Sequence, residues 1–288
     1  MPELSLNESF SKSEVFSKIC IPPETPFFLR LDCWKFQKLS ESLNAEKPFD
    51  ENFAKCLVSS AETVLKGFEP TLVYVASDEL NILFAKEPPF NRRLEKVDSV
   101  MPSLVSTAFA YCIQKLFRRE LLVAFDSRII IVPNTKKIIE YLIWRQNDLW
   151  RNHNNTYVYW ILRKQGYAPS EASKRLRGLK TAELHELAFK QGVNLAETPA
   201  WQRRGILIYK EPYVKRTAKG VAERWKIKTE WNTPLFTSVD GVKLIKQIIK
   251  WKNKRGKAFA RTTAKNPANH RIKPENFRLK GTKRKTKS

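Results

Sequence analysis

Pro26-Phe27-Phe28-Leu29-Arg30-Leu31-Asp32 and Thr71-Leu72-Val73-Tyr74-Val75-Ala76-Ser77-Asp78-Glu79 share one pattern: an apolar run that ends on a carboxylate. Apolar runs of this length, bounded by Pro, Gly or charge, read as buried strands. An acid at the end of each of two strands can put both acids at one sheet edge. Such a pair can hold two divalent cations roughly 3.5–4 Å apart, the arrangement that drives nucleotidyl transfer. Oxygen ligands beside phosphate point to magnesium. Asp32 and Asp78 also fit a blander role as polar strand ends, and spacing alone leaves both readings open.

The elements between and after these runs narrow the fold. Phe49 to Phe68 carries Phe53, Leu57, Ala61, Val64 and Leu65 at helical spacing, with Gly67 as a stop. The second run turns almost at once into Leu80 to Ala85, which predicts a hairpin with Ser77-Asp78-Glu79 near its tip. A helix is predicted from about Arg92 to Leu116, kinked or broken at Pro102. Leu121 to Phe125 reads as a strand leading through Asp126-Ser127-Arg128 into Ile129 to Val132. Strand, helix, strand, strand, helix, strand is the split βαβ order of a ferredoxin-like sheet. Polymerase palms and nucleotide cyclases use this sheet, as do unrelated proteins. The expected class is α+β, with a palm-like region over residues 1–135. A helical and mixed region then spans 136–251: a long helix from Lys136 to about Gly166, a unit capped at Ser170-Glu171 and ending at Gly192, a strand from Ile206 to Tyr209, and an amphipathic helix near Val239 to Trp251.

Composition fixes the partner class. The chain has 288 residues and a formal charge of +24, so a polyanion is expected, nucleic acid or a membrane surface. Membrane is the weaker choice, because no apolar stretch approaches the roughly 20 residues that span a bilayer. No secretory signal is visible in Met1 to Phe16, and Cys20, Cys33, Cys56 and Cys112 form no C-x-x-C pair. Both features point to reduced thiols and a cytoplasmic protein. Residues 252–288 hold fourteen Lys and Arg against one Glu. This reads as a disordered basic tail suited to phosphate contact, or as a solubilising one.

Several fragments in register resemble one family. Leu29-Arg30-Leu31-Asp32, Lys47-Pro48-Phe49-Asp50, Ser77-Asp78-Glu79, Asn91-Arg92-Arg93-Leu94-Glu95-Lys96, Phe125-Asp126-Ser127-Arg128 and Trp144-Arg145-Gln146-Asn147-Asp148 stand in the order seen in histidine-tRNA guanylyltransferases. Arg175-Leu176-Arg177-Gly178 and Trp201-Gln202-Arg203-Arg204-Gly205 follow in the same order. The resemblance spans roughly Phe27 to Tyr209. It implies a homotetramer, a dimer of dimers, that adds nucleotides, GTP preferred, to the 5′ end of tRNA in the 3′–5′ direction after activation of the 5′ end by ATP.

By that resemblance Asp32, Asp78 and the Cys33 carbonyl hold two magnesium ions. Glu79 either supports the site or faces away, and is placed in the catalytic set. Cys33, Trp34, Lys35, Phe36, Lys47, Ser77, Arg92, Arg93, Lys96 and Arg128 match nucleotide- and phosphate-binding positions. Arg145, Arg151, Asn152, Lys174, Arg175, Arg203 and Arg204 are the tRNA-facing candidates. Two departures stand out. The family's Asp-Gly-Arg-x-Phe-His reads Asp32-Cys33-Trp34-Lys35-Phe36-Gln37 here, so the carboxylate carries over but the glycine loop geometry does not. The eukaryotic His-Ile-Asn-Asn-Leu-Tyr-Asn motif is replaced by Trp150-Arg151-Asn152-His153-Asn154-Asn155-Thr156. Its absence resembles the guanylyltransferase-like branch, which repairs tRNAs shortened at the 5′ end. His153 reads as an RNA contact or a helix-surface residue. A non-catalytic RNA-binding protein on a decayed palm is the rival from another class.

Overall fold

The computed structural model describes residues 6–86, 88–217 and 220–263. A short helix α1 (Leu6–Ser13) precedes strand β1 (Phe27–Cys33). β1 lies between β3 (Glu79–Phe84) and β4 (Phe125–Ile131), antiparallel to both, with Leu29 opposite Ile82 on one side and Ile129 on the other. β2 (Leu72–Ala76) closes the hairpin with β3. The strands order as β4-β1-β3-β2-β5-β6, where β5 is Ile206–Thr217 and β6 is Gly220–Glu230. The first four strands thus form the expected ferredoxin-like sheet, and two later strands extend it.

Helices α3 (Glu51–Gly67) and α4 (Leu94–Phe117) cover one face. They pack Leu57, Ala61, Val105 and Phe109 against Leu29, Leu31, Val73 and Ile82. α3 starts two residues later than its apolar pattern does, because Asp50 caps it by accepting from the Phe53 amide at 2.9 Å. α4 runs through Pro102 without a break. Proline removes one helical donor and frees the carbonyl four residues back. That carbonyl, on Asp98, accepts from the Ser127 hydroxyl at 2.9 Å. Asp126-Ser127-Arg128 is no connector between strands: these residues pair with Asp32, Leu31 and Arg30 inside β4, and residues 121–124 lie outside it.

The other face is covered by α5 (Thr135–Lys164) and α9 (Val239–Thr263). Leu142, Leu149, Ile245 and Ile248 pack there against Phe28, Tyr74, Leu83 and Leu207. The region after residue 135 therefore shares its sheet and core with the region before it. A small third cluster ties the end of α5 to α6 (Pro169–Leu176) and α7 (Thr181–Phe189) through Val158, Leu162, Ala172 and Leu184. The helical unit expected over Ser170 to Gly192 is built of two helices, separated at Gly178 with φ 86°, and the first begins with Pro169 rather than at a Ser170 cap. The basic tail expected from Lys252 begins inside α9, which reaches Thr263; residues 264–288 lie outside the described residues. Among the described residues no helix is long and apolar enough to cross a membrane.

Gly205 joins the short helix α8 (Ala200–Arg204) to β5 with φ 75°. A Cβ there would come within 2.5 Å of the Val75 carbonyl oxygen and of the Tyr74 ring. Gly205→Ala is expected to cost about 2–3 kcal/mol through backbone strain and overpacking. Thermal melting should show a midpoint lower by roughly 5–10 °C.

Candidate active site

Antiparallel pairing brings the end of β1, the β2–β3 turn and the starts of β4 and β5 to one end of the sheet. Asp32 sits opposite Glu79 on one side and Asp126 on the other. Residues directly opposite in a ladder share a face, so these three acids form a row on the α5 side. Two residues back along β1, Arg30 lies between Asn81 and Arg128 on the same face. Asp78 is the second residue of the two-residue turn Ser77-Asp78, with Ser77 at φ 59°.

The electrostatics of this end are those of crowded acids. Burial and the Asp32 charge push the Asp78 carboxyl up to about 7. Burial and Asp126 raise Asp32, against the pull of Arg30, Arg128 and Arg145. Such a pair favours an added cation. Among the described residues no three His, Cys, Asp or Glu side chains are grouped to hold a metal. The candidate donors are the Asp32 and Asp78 carboxylates, which act on one another, and the family resemblance adds the Cys33 carbonyl. That sparse set of hard oxygens fits magnesium, which fills its remaining positions with water and phosphate. The Cys33 thiol is pushed up to about 12 by burial, Asp78 and Asp32, and packs into the α3–α4 core; only its carbonyl can serve.

Glu79 faces the same way as Asp32, yet its oxygens are engaged. Arg145 on α5 donates to both, from Nη2 at 2.7 Å and Nε at 3.1 Å, and also reaches Asp148 at 2.9 Å. Arg145 is 6% exposed. This corrects its place among the tRNA contacts: it is buried and holds Glu79. Arg30 was missed by the sequence reading, although strand alternation alone puts it on the face of Asp32. Its Nε is buried with no hydrogen-bond partner among the described residues.

A cavity of about 750 Å³ opens beside the turn. The helix α2 (Phe36–Ser42), the Lys47–Asp50 loop, Ser77, and Asn155, Tyr159, Trp160 and Arg163 of α5 line it, together with Trp201. Lys47 donates to Ser40 and lies 5.6 Å from the Trp160 ring centre. Burial lowers its pKa, opposed by Glu41 and Asp50. Of the other nucleotide candidates, Phe36 lines the cavity, whereas Trp34 is exposed with the Lys35 ammonium over its ring. Phe90, Asn91 and Arg92 all have positive φ, 58°, 51° and 66°. The strand-like segment Ile19–Ile21 pins this strained turn: Ile21 donates to the Arg92 carbonyl at 2.9 Å and Leu94 to that of Ile19 at 2.9 Å. Arg93 pairs with Glu95, and Lys96 is exposed.

The family profile described as "tRNAHis guanylyltransferase" matches residues 7–133, and one described as "Thg1 C terminal domain" matches residues 136–274. The chain belongs to the tRNA(His) guanylyltransferase family. A Schizosaccharomyces pombe tRNA(His) guanylyltransferase is 33% identical over 66% of this chain and 75% of its own. A probable Drosophila melanogaster tRNA(His) guanylyltransferase is 32% identical over 66% of this chain and 69% of its own. A bacterial tRNA(His) guanylyltransferase-like protein solved with ATP shares the fold at TM-score 0.68, with 24% identity over 85% of this chain and 98% of its own. The Saccharomyces cerevisiae enzyme superposes at TM-score 0.62, with 27% identity over 69% of this chain and 90% of its own.

Two departures from the tRNA(His) guanylyltransferase pattern acquire a physical account. Cys33 ends a strand with no positive φ, so its backbone does not need a glycine; the left-handed residue of the turn is Lys35, φ 55°. His153 is buried at 0% exposure rather than touching RNA or solvent. Its ring stacks on Trp150 at 5.1 Å and on Phe49 at 5.7 Å. Its Nε2 lies 2.9 Å from the Thr198 hydroxyl, which itself donates to the Leu195 carbonyl at 2.9 Å. Nε2 is therefore the donor. Nδ1 must then accept, and it does so from the Asn154 amide when that group is turned to present its otherwise unpartnered Nδ2. Burial brings the imidazole pKa down to about 4.

The remaining tRNA candidates divide by exposure. Arg151, Asn152, Lys174 and Arg175 are exposed, with Arg151 paired to Asp148 and Arg175 to Glu171. Arg203 is half-buried and donates to the Thr198 carbonyl at 2.7 Å. Arg204, also half-buried, offers its own carbonyl to the Tyr74 hydroxyl at 2.9 Å.

Two outcomes are expected. Arg145→Met leaves Glu79 charged without its guanidinium partner, while Asp148 keeps Arg151, and should cost about 3–5 kcal/mol in urea unfolding; adding Glu79→Gln should recover a large part. His153 is neutral in the fold, whereas the unfolded ring gains a proton below about 6.5. Its stabilising contribution is complete above that pH and declines as pH falls to about 4, by about 3 kcal/mol in all. His153→Gln should remove that part of the acid dependence in pH-resolved melts.

Proposed function

We propose that this protein adds nucleotides, GTP preferred, to the 5′ end of tRNA in the 3′–5′ direction after ATP-dependent activation of the 5′-monophosphate. One observation carries the reading: the Asp32 and Asp78 carboxylates act on one another at the sheet end where Arg30 and Arg128 also act on Asp32, and the Ser77-Asp78 turn borders a cavity of about 750 Å³ through Ser77. Asp32, Asp78 and the Cys33 carbonyl would hold magnesium, which when bound supplies Lewis-acid activation of an attacking hydroxyl and neutralises triphosphate charge. Arg30 and Arg128 lie where developing phosphate charge would need them. Lys47, from the loop before α3, and Ser77, from the β2–β3 turn, line the cavity and would orient a triphosphate. Phe36, Trp160 and Trp201 offer flat apolar surface to a nucleoside. Arg145 holds Glu79 and so keeps the acid row in register. There is little covalent work for protein groups in phosphoryl chemistry, so fixed charge and positioning suffice.

The names of the relatives support histidine tRNA as a substrate, and one bacterial neighbour binds ATP and another GTP. Trp150, in the place of the motif histidine, supports repair of 5′-truncated tRNA, which we rank first. Both are the same 5′ addition. The resemblance further supports a cytoplasmic homotetramer.

The test is incorporation of labelled GTP into 5′-truncated tRNAs and into histidine tRNA, with ATP and magnesium. The intact protein should label the 5′ end. Asp78→Asn should lower the rate by roughly a thousandfold or more, the several kcal/mol that metal-held charge contributes. Retention of RNA without incorporation by either protein would instead leave a binding protein on a decayed palm.

A further inference from the structure

Helix α9 is the last described element, and its surface differs from that of the other helices. α3, α5, α6 and α7 each set acids against their exposed bases at helical spacing, as in Lys55–Glu51, Lys137–Glu140, Arg175–Glu171 and Lys190–Glu186. In α9, Lys243, Lys246 and Lys250 are exposed at i, i+3 and i+7, and among the described residues none of them has an ion pair. Only Asp240 stands between Val239 and Trp251 as an acid, and it lies at the helix start. Three like charges on one stripe repel one another.

The helix is nevertheless firmly seated. Ile245 and Ile248 are buried, and Trp251 stacks on Tyr209 at 6.2 Å. Gly241 approaches the Leu235 carbonyl so closely that a Cβ would come to 2.1 Å. Near the far end, Lys254 pairs with Glu223 of β6 at 2.6 Å, and Lys252 donates to the Glu69 carbonyl at 2.5 Å. The stripe therefore faces outward from a fixed scaffold and borders a shallow depression that includes Leu244 and Gln247.

We infer that Lys243, Lys246 and Lys250 form a docking strip for the sugar-phosphate backbone of RNA, separate from the catalytic end of the sheet. The inference rests on the proposed tRNA reaction for its partner. Seven residues of helix rise about 10 Å. A nucleic-acid strand presents one phosphate per about 3.4 Å of axis, so three lysines match about three phosphates. The strip reads no bases; it adds sequence-independent grip, and a bound strand relieves the repulsion among the lysines.

Salt dependence tests this. Affinity of the full chain for a 5′-truncated tRNA transcript is measured between about 50 and 200 mM salt. Each lost phosphate contact lowers the slope of log K against log salt by about 0.9, so the triple variant K243Q/K246Q/K250Q should lose about 2–3. Replacing the same lysines with Arg should keep the slope. A control, K55Q/R118Q/R119Q, removes equal charge elsewhere and should change the slope by less than about 1. Equal losses in triple and control, no loss in the triple, or a loss seen only with phosphatidylserine vesicles would each overturn the strip. GTP incorporation by the unaltered protein is run in parallel. Its failure would sink the reaction while leaving the slopes to judge the strip.

Discussion

The structure turns on negative charge gathered at one end of a β-sheet. Antiparallel pairing leaves no choice in the matter: once Asp32 ends β1, its neighbours in the ladder are Glu79 and Asp126, and the β2–β3 turn delivers Asp78 beside them. Partial burial makes this crowding expensive, which is why both Asp32 and Asp78 are held above the usual carboxylate range. The protein compensates each acid differently. Glu79 is gripped by the buried Arg145 guanidinium, although burial still holds its carboxyl above the usual range. Asp32 is only partly balanced, by arginines two residues along its own strand and the next. For Asp78 the leading influences are burial and the Asp32 charge, both of which raise it. The unbalanced charge is thus concentrated on the two residues best placed to bind added cations.

Helix α5 is what makes this arrangement rigid. Along one side of it, Tyr141 donates to Asn81 at 2.6 Å and Arg145 grips Glu79. Gln146 donates to the carbonyls of Arg204 and Pro234 and accepts from the Phe236 amide at 2.8 Å. The Trp144-Arg145-Gln146 segment therefore fastens sheet, α8 and the loop before α9 to one another. Two turns further on, His153 ties the helix to Thr198. A buried ion pair adds little net stability over a hydrophobic substitute, but removing one partner is costly. The gain from Arg145–Glu79 is accordingly one of position.

The sequence made the sheet legible because strand periodicity and strand order are local signals. Apolar runs ending on Asp32 and Asp78, with two helices between the right pairs, leave few topologies. What it concealed were facts set by tertiary contact. Pro102 reads as a break until Ser127 is seen to occupy the freed carbonyl. Arg145 reads as an RNA-facing base because pattern alone cannot show that Glu79 lies above it. His153 sits among polar residues in sequence, yet its spatial neighbours are Trp150, Phe49 and Tyr157. The extension of the sheet by β5 and β6 was likewise hidden, because only Ile206 to Tyr209 is continuously apolar. Beyond Tyr209, β5 reads Lys210-Glu211-Pro212-Tyr213-Val214-Lys215-Arg216-Thr217, which has no two-residue period, and it pairs with β6.

Positive charge in this protein works at two ranges. At the sheet end Arg128 is exposed, whereas Arg145 and Arg30 sit in a partly desolvated setting, where the effective dielectric is low and salt screens weakly. They can distinguish the charge of a transition state from that of a ground state. The lysines on α9 sit in water on flexible stems, where screening acts within about 10 Å at ordinary ionic strength. They cannot tune chemistry, but they can hold a long polyanion while its end reacts elsewhere. A net charge of +24 would be a burden on folding if it were uniform. Dividing it between a few buried cations that answer specific acids and a larger surface set reserved for a partner keeps the catalytic end compact. It also keeps grip on the RNA separable from the step at its 5′ end.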